Sequence, residues 1–147
     1  MHRLSTILVT VALACATATA AAAYTFSPPD ITARLRGIVT FHPTGGTPFN
    51  CKIQMVLKTK GEITSVEGRP QGPRCNGIGF TGLPWRIGIL NADTGQFGPF
   101  GFSRAGYGSC GQGAIEFQDN GSGLWTFPAS QCMTGSLQSH PAVTIAP

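Results

Sequence analysis

Four cysteines standing behind an export-type leader constrain this chain more than any other feature. Met1-His2-Arg3 is a short basic start, Leu4 to Ala14 is an uncharged apolar run, and Ala16 to Ala23 is rich in small residues. That order is the pattern of a secretory signal peptide, and cleavage after either Ala20 or Ala23 fits it. Residues 1–23 are therefore predicted to be a leader and residues 24–147 a single exported domain. In an oxidising compartment Cys51, Cys75, Cys110 and Cys132 are expected to form two disulfides. Three pairings are possible. Cys51–Cys75 with Cys110–Cys132 is favoured, because each bond would then close its own half of the chain. A loop of about 25 residues closed in this way adds roughly 3 kcal/mol by restricting the unfolded chain. The fifth cysteine, Cys15, lies inside the leader and lacks the leucine three positions earlier that a lipid-attachment site carries. The four others lack the close spacing of a zinc site, so no metal is expected.

About 124 residues remain after the leader, enough for one modest core. Without Arg3, nine basic residues face six acidic ones, a net charge of about +3. The basic residues are scattered from Arg34 to Arg104 with no run of five, which reads as a solvated surface rather than a nucleic-acid site. No later stretch approaches the roughly 18 apolar residues that cross a bilayer, so no transmembrane helix is predicted in the mature chain.

No segment keeps a helical period. From Ile31 to Phe41 the chain alternates, with Ile31, Ala33 and Leu35 on one side and Thr32, Arg34 and Arg36 on the other. Cys51, Ile53, Met55 and Leu57 alternate again, and Lys60-Gly61 reads as the turn of a hairpin into Glu62–Glu67. Further strands are expected at Ile78–Phe80, Trp85–Leu90, Ala114–Phe117, Gly123–Phe127, Met133–Leu137 and Ala142–Ile145, with a Phe- and Gly-rich stretch from Gln96 to Arg104. Asn120-Gly121 is a strong hairpin signal. About eight to ten short strands predict an all-β class: one small disulfide-stapled β-sandwich or barrel. Phe41, Trp85, Phe97, Phe102, Phe117, Trp125 and Phe127 are the expected core aromatics.

Candidate chemistry is sparse. Gly77–Gly82 and Gly106–Gly111 match a dinucleotide fingerprint literally, but the first runs into Pro84 and the second contains Cys110, so neither is expected to open the helix that the phosphates need. A triad would have to use His42 or His140, each followed by proline. Glu62 and Glu67 stand at an odd spacing on one strand and are expected on opposite faces, which argues against paired carboxylates. Neither catalytic nor cofactor-binding residues are assigned.

One set of motifs points further. Cys51, Gly61-Glu-Ile-Thr-Ser-Val66, Cys75, Phe80-Thr-Gly-Leu-Pro-Trp85, Gly108-Ser-Cys110-Gly111, Trp125 and Cys132-Met-Thr-Gly-Ser-Leu137 occur in order, behind Phe26-Ser-Pro-Pro29. In these features the chain resembles the small exported bacterial proteins of the protein activator of alkane oxidation (PraB-like) family. The resemblance implies a non-enzymatic accessory in the use of long-chain hydrocarbons, acting at the cell surface or the oil–water boundary. Within it, Gly82 and Pro84 are read as setting the backbone of a turn and Trp85 as packing inward. If the protein touches oil, Phe97, Pro99 and Phe100 are the expected apolar contact loop. The expected partners are a hydrophobic substrate, a cell-surface component, or another copy of the chain. Self-pairing would turn it into a structural or adhesive surface protein, with segment Ile31–Phe41 offering a strand edge. A small secreted hydrolase is the remaining reading.

Overall fold

A computed structural model describes residues 23–69 and 75–147, so the predicted leader up to residue 22 lies outside the described residues. Thirteen strands are described: β1 (Thr25–Ser27), β2 (Thr32–Phe41), β3 (Phe49–Lys58), β4 (Glu62–Arg69), β5 (Ile78–Thr81), β6 (Trp85–Ile89), β7 (Thr94–Gly98), β8 (Phe100–Arg104), β9 (Gly108–Gln112), β10 (Ile115–Asp119), β11 (Leu124–Phe127), β12 (Met133–His140) and β13 (Thr144–Ala146). The number exceeds the eight to ten expected from the sequence for two reasons. The short strand β1 and the Gly- and Cys-containing strand β9 lack a legible period, and the Phe/Gly stretch divides at Pro99 into β7 and β8. Pro99 has no backbone N–H to give to a ladder, so the break falls there.

Eight strands close into a barrel in the order β10-β11-β12-β2-β3-β4-β6-β7, with β7 returning to β10. Of the two architectures the sequence allowed, the barrel is the one adopted. Alternation fixes its inside. Ala33, Leu35, Val39 and Phe41 of β2 are buried, as are Cys51, Ile53, Met55 and Leu57 of β3. A barrel of about eight strands has a lumen just wide enough for side chains to fill. Here the filling is aromatic: Phe117 stacks on Trp125 at 4.0 Å and 7°, Trp85 lies 5.5 Å from Phe97, and Phe127 meets Phe97 edge-on. All seven expected core aromatics are buried. Both indole N–H groups find backbone acceptors, Trp85 on Thr81 at 2.8 Å and Trp125 on Val143 at 3.1 Å, so neither ring buries an unpaired donor.

Two small sheets cap the barrel. At the Phe41 end of β2 sits the three-stranded sheet β5-β8-β9, which places Phe80 and Phe102 against Phe41, and Phe102 against Phe49. Arg104 of β8 is buried here, its guanidinium 3.9 Å above the Tyr107 ring and its Nε donating to the Asn76 carbonyl. At the other end β1 pairs with β13, setting Phe26 5.9 Å from Trp125. Among the described residues no helix is long and apolar enough to cross a membrane. The outer wall carries Arg34, Arg36, Lys58, Glu116 and Gln118 over an apolar lumen, the reverse of the lipid-facing band of a membrane-spanning barrel.

One local expectation is corrected. A bulge between Val56 and Leu57 of β3 inserts an extra β4 residue, so the backbone positions of Glu62 and Glu67 register with Lys58 and Gln54, positions of the same strand face, instead of falling on opposite sides. The β10–β11 hairpin that Asn120-Gly121 signals does form, through a loop longer than two residues. The Asn120 carboxamide accepts from Ser122 and Leu124 N–H, and Gly121 and Gly123 both take positive φ in a longer loop.

Candidate functional site

Both disulfides form as favoured, Cys51–Cys75 with Cα atoms 5.4 Å apart and Cys110–Cys132 with Cα atoms 5.8 Å apart. Their common placement is what the sequence did not reveal. Cys51 on β3 and Cys132 just before β12 belong to the barrel, at the Phe41 end of β2. Cys75 lies three residues before the start of β5, and Cys110 lies on β9. These are the two outer strands of the three-stranded sheet, so one bond pins each edge of the cap to the barrel.

Beside the second bond lies an open groove of about 580 Å³. Cys110, Gly111 and Gln112 of β9 form one wall, and the segment Ala129–Cys132 forms the other. His42, the residue after β2, donates its N–H to the Cys132 carbonyl, and its Nε2 is 2.8 Å from the Thr134 hydroxyl. Gln131 holds the second wall in place. Its Oε1 accepts the Glu116 N–H at 2.7 Å and its Nε2 donates to the Glu116 carbonyl at 3.0 Å, a side-chain imitation of a strand pair. Gln112 Oε1 accepts the Cys132 N–H at 3.0 Å. The lining is a disulfide, an imidazole, hydroxyls and amides, and no carboxylate is among it. Such a surface can form hydrogen bonds and apolar contacts. His42 has a hydroxyl beside it but no acid among the lining groups to orient its ring, and His140 stands exposed on the outer wall, in register with Arg34. Beyond the cysteines, no spacing in the sequence signals this groove, because its walls come from β9, the β11–β12 connection and the residue after β2.

The expected apolar loop divides. Phe97 and Phe100 point into the core at 1% and 2% exposure, where each packs against Trp85, and only Pro99 between them is exposed. The two rings are therefore not offered to a surface. Segment Ile31–Phe41 offers no strand edge either, since β2 is bonded to β12 on one side and to β3 on the other. The edge strands of the small sheets are β1, β13, β5 and β9, and within the barrel β4 meets β6 only through Glu62 and Ile63. The glycine-rich runs 77–82 and 106–111 enter β5 and β9 and open no helix.

Part of the ordered motifs meets in one region, while Phe26 and Trp125 lie together at the other end of the barrel. Cys51–Cys75, Phe80–Trp85, Cys110 and Cys132 all lie where the cap meets the barrel, with Phe80 of the cap against Trp85 of the barrel at 5.9 Å. A family model described as alkane oxidation protein activator PraA/PraB-like matches residues 1–147. The chain belongs to this family. No curated protein and no solved structure matches it. Family membership carries the name of an activator.

Proposed function

We propose that the protein is an exported, non-enzymatic accessory in the use of long-chain hydrocarbons, acting outside the cytoplasm at the cell surface or the oil–water boundary. The observation that carries this reading is the family match along the whole chain. Two disulfides in a small domain agree with an oxidising compartment. The aromatic filling of the lumen leaves no calyx for an alkane, so contact with hydrocarbon falls to the outer surface, where Leu90 and Pro99 are exposed. The test is deletion of the gene, with growth compared on hexadecane and on a soluble carbon source, and with oxidised protein added back to the medium. A defect confined to hexadecane and rescued from outside is expected. Equal growth on both sources overturns the proposal.

A further inference from the structure

Four basic residues that lie apart in the sequence, Arg34, Arg36, Lys52 and Lys58, come together on the outer face of β2 and β3. On β2 the outward positions are Thr32, Arg34, Arg36, Ile38 and Thr40, and on β3 they include Asn50, Lys52 and Lys58. Register sets Lys52 beside Ile38, Lys58 beside Thr32, and His140 of β12 beside Arg34. Arg36 is held against the wall by Gln54, whose Oε1 accepts its Nε at 2.8 Å. Acid enters this face at Glu62, across from Lys58, and at the backbone position of Glu67, across from Gln54. The wall on the far side of the barrel, β7 and β10, presents Gln96, Glu116 and Gln118 and carries no basic residue. The barrel is thus electrically polarised.

Ile38 sits within the basic face and is 60% exposed, the most exposed large apolar side chain among the described residues. Its neighbour along the strand is Arg36 and its neighbour across the ladder is Lys52. A shallow depression of about 220 Å³ opens beside it between Asn50, Cys51 and Lys52. Like charges two residues apart on one strand face repel, and an isoleucine 60% exposed gains little from burial. The arrangement suits a contact in which cations meet anionic groups while an apolar tip enters the layer beneath them.

We propose that the outer face of β2 and β3 is a docking surface for a lipid layer bearing anionic headgroups, with Arg34, Arg36 and Lys52 on the headgroups and Ile38 inserted between them. The charge complementarity and the single apolar tip select a lipid surface over a dissolved polyanion, which has no use for Ile38. This inference does not depend on a role in hydrocarbon use.

The test is co-sedimentation of the disulfide-bonded protein with vesicles of phosphatidylcholine alone and with vesicles containing about one third phosphatidylglycerol. Binding to the mixed vesicles only is expected, weakening as salt shortens the screening length from about 10 Å at 0.1 M to about 3 Å at 1 M. Arg34→Gln should weaken partition about fivefold and Arg34→Gln with Lys52→Gln roughly 25-fold. Arg86→Gln on β6, which makes the same change in net charge, should weaken it about twofold at most. Ile38→Ser should weaken it about tenfold. Arg34→Lys should bind like the parent. Equal binding to both vesicle types, or none to either, overturns the proposal. So does a loss with Arg86→Gln equal to that with Arg34→Gln. If charge removal weakens binding while Ile38→Ser leaves it unchanged, the surface takes a polyanion and the lipid assignment falls.

Discussion

Cys110 on β9 and Cys132 at the entrance to β12, with Cα atoms 5.8 Å apart, join the outer strand of the capping sheet to the barrel beside the end of β2. Cys51–Cys75 does the same at the opposite edge of that sheet. The cap adds Phe80, Phe100 and Phe102 to the core, so the two bonds hold the end of the barrel closed over Phe41 and Trp85.

Sequence separations of 24 and 22 residues make the two disulfides close to equal in chain entropy. Removing either pair by cysteine-to-serine substitution should cost about 3 kcal/mol in urea unfolding. Hydrogen exchange should then accelerate first in β5, β8 and β9, while β2, β3 and β12 stay protected. A uniform loss of protection across all strands would show that the cap is not a separate unit.

Gly95 of β7 and Phe117 of β10 face each other across a ladder pair, and a Cβ on Gly95 would collide with the Phe117 ring. Gly95→Ala should destabilise the protein by about 1–3 kcal/mol. In a double-mutant cycle with Phe117→Leu, the combined loss should be smaller than the sum of the single losses. Additive losses would refute the contact.

At the turn Phe80–Trp85, Gly82 has φ +83° and a Cβ there would strike the Pro99 carbonyl oxygen. Gly82→Ala should therefore lower stability by more than about 1 kcal/mol, combining a left-handed backbone with a close approach. The same substitution at Gly77, which has φ +80° but open space around it, should cost less. Thermal unfolding of the two variants side by side decides this.

Asp119 is buried where β10 meets the β1–β13 cap. Its Oδ2 accepts the Ile145 N–H at 2.7 Å and its Oδ1 the Gly121 N–H at 3.2 Å. Asp119→Ala should cost about 2 kcal/mol, since it leaves a buried backbone donor without a partner. Faster exchange of the Ile145 amide, with β3 unchanged, is the expected signature.

Much of this structure was legible in the chain because it depends on neighbours in sequence. Period-two alternation put Ala33, Leu35, Ile53 and Met55 inside, and Asn, Gly and Pro marked the turns. Reading failed where a local rule met a tertiary one. An odd spacing set Glu62 and Glu67 on alternate positions, whereas a bulge brings their backbones opposite Lys58 and Gln54. Phe97 and Phe100 flank an exposed proline and look like a loop tip, yet both turn toward Trp85. The groove at His42 was invisible, since Thr134 lies 92 residues away from it in sequence.

The sequence by itself determined an all-β domain, the faces of its longest strands, the aromatic core and the favoured pairing of its cysteines. Strand order was decided only in three dimensions. Pairing β2 with both β12 and β3 closed the barrel, removed the strand edge that Ile31–Phe41 would otherwise present, and put Lys52 beside Ile38 on the face that carries Arg34 and Arg36. The reason is that a ladder joins residues through backbone groups that every residue carries, so partners such as Phe41 and Met133 bear no local mark of each other. Alternation tells each strand which side is inward, and only closure of the sheet decides which outward residues become neighbours.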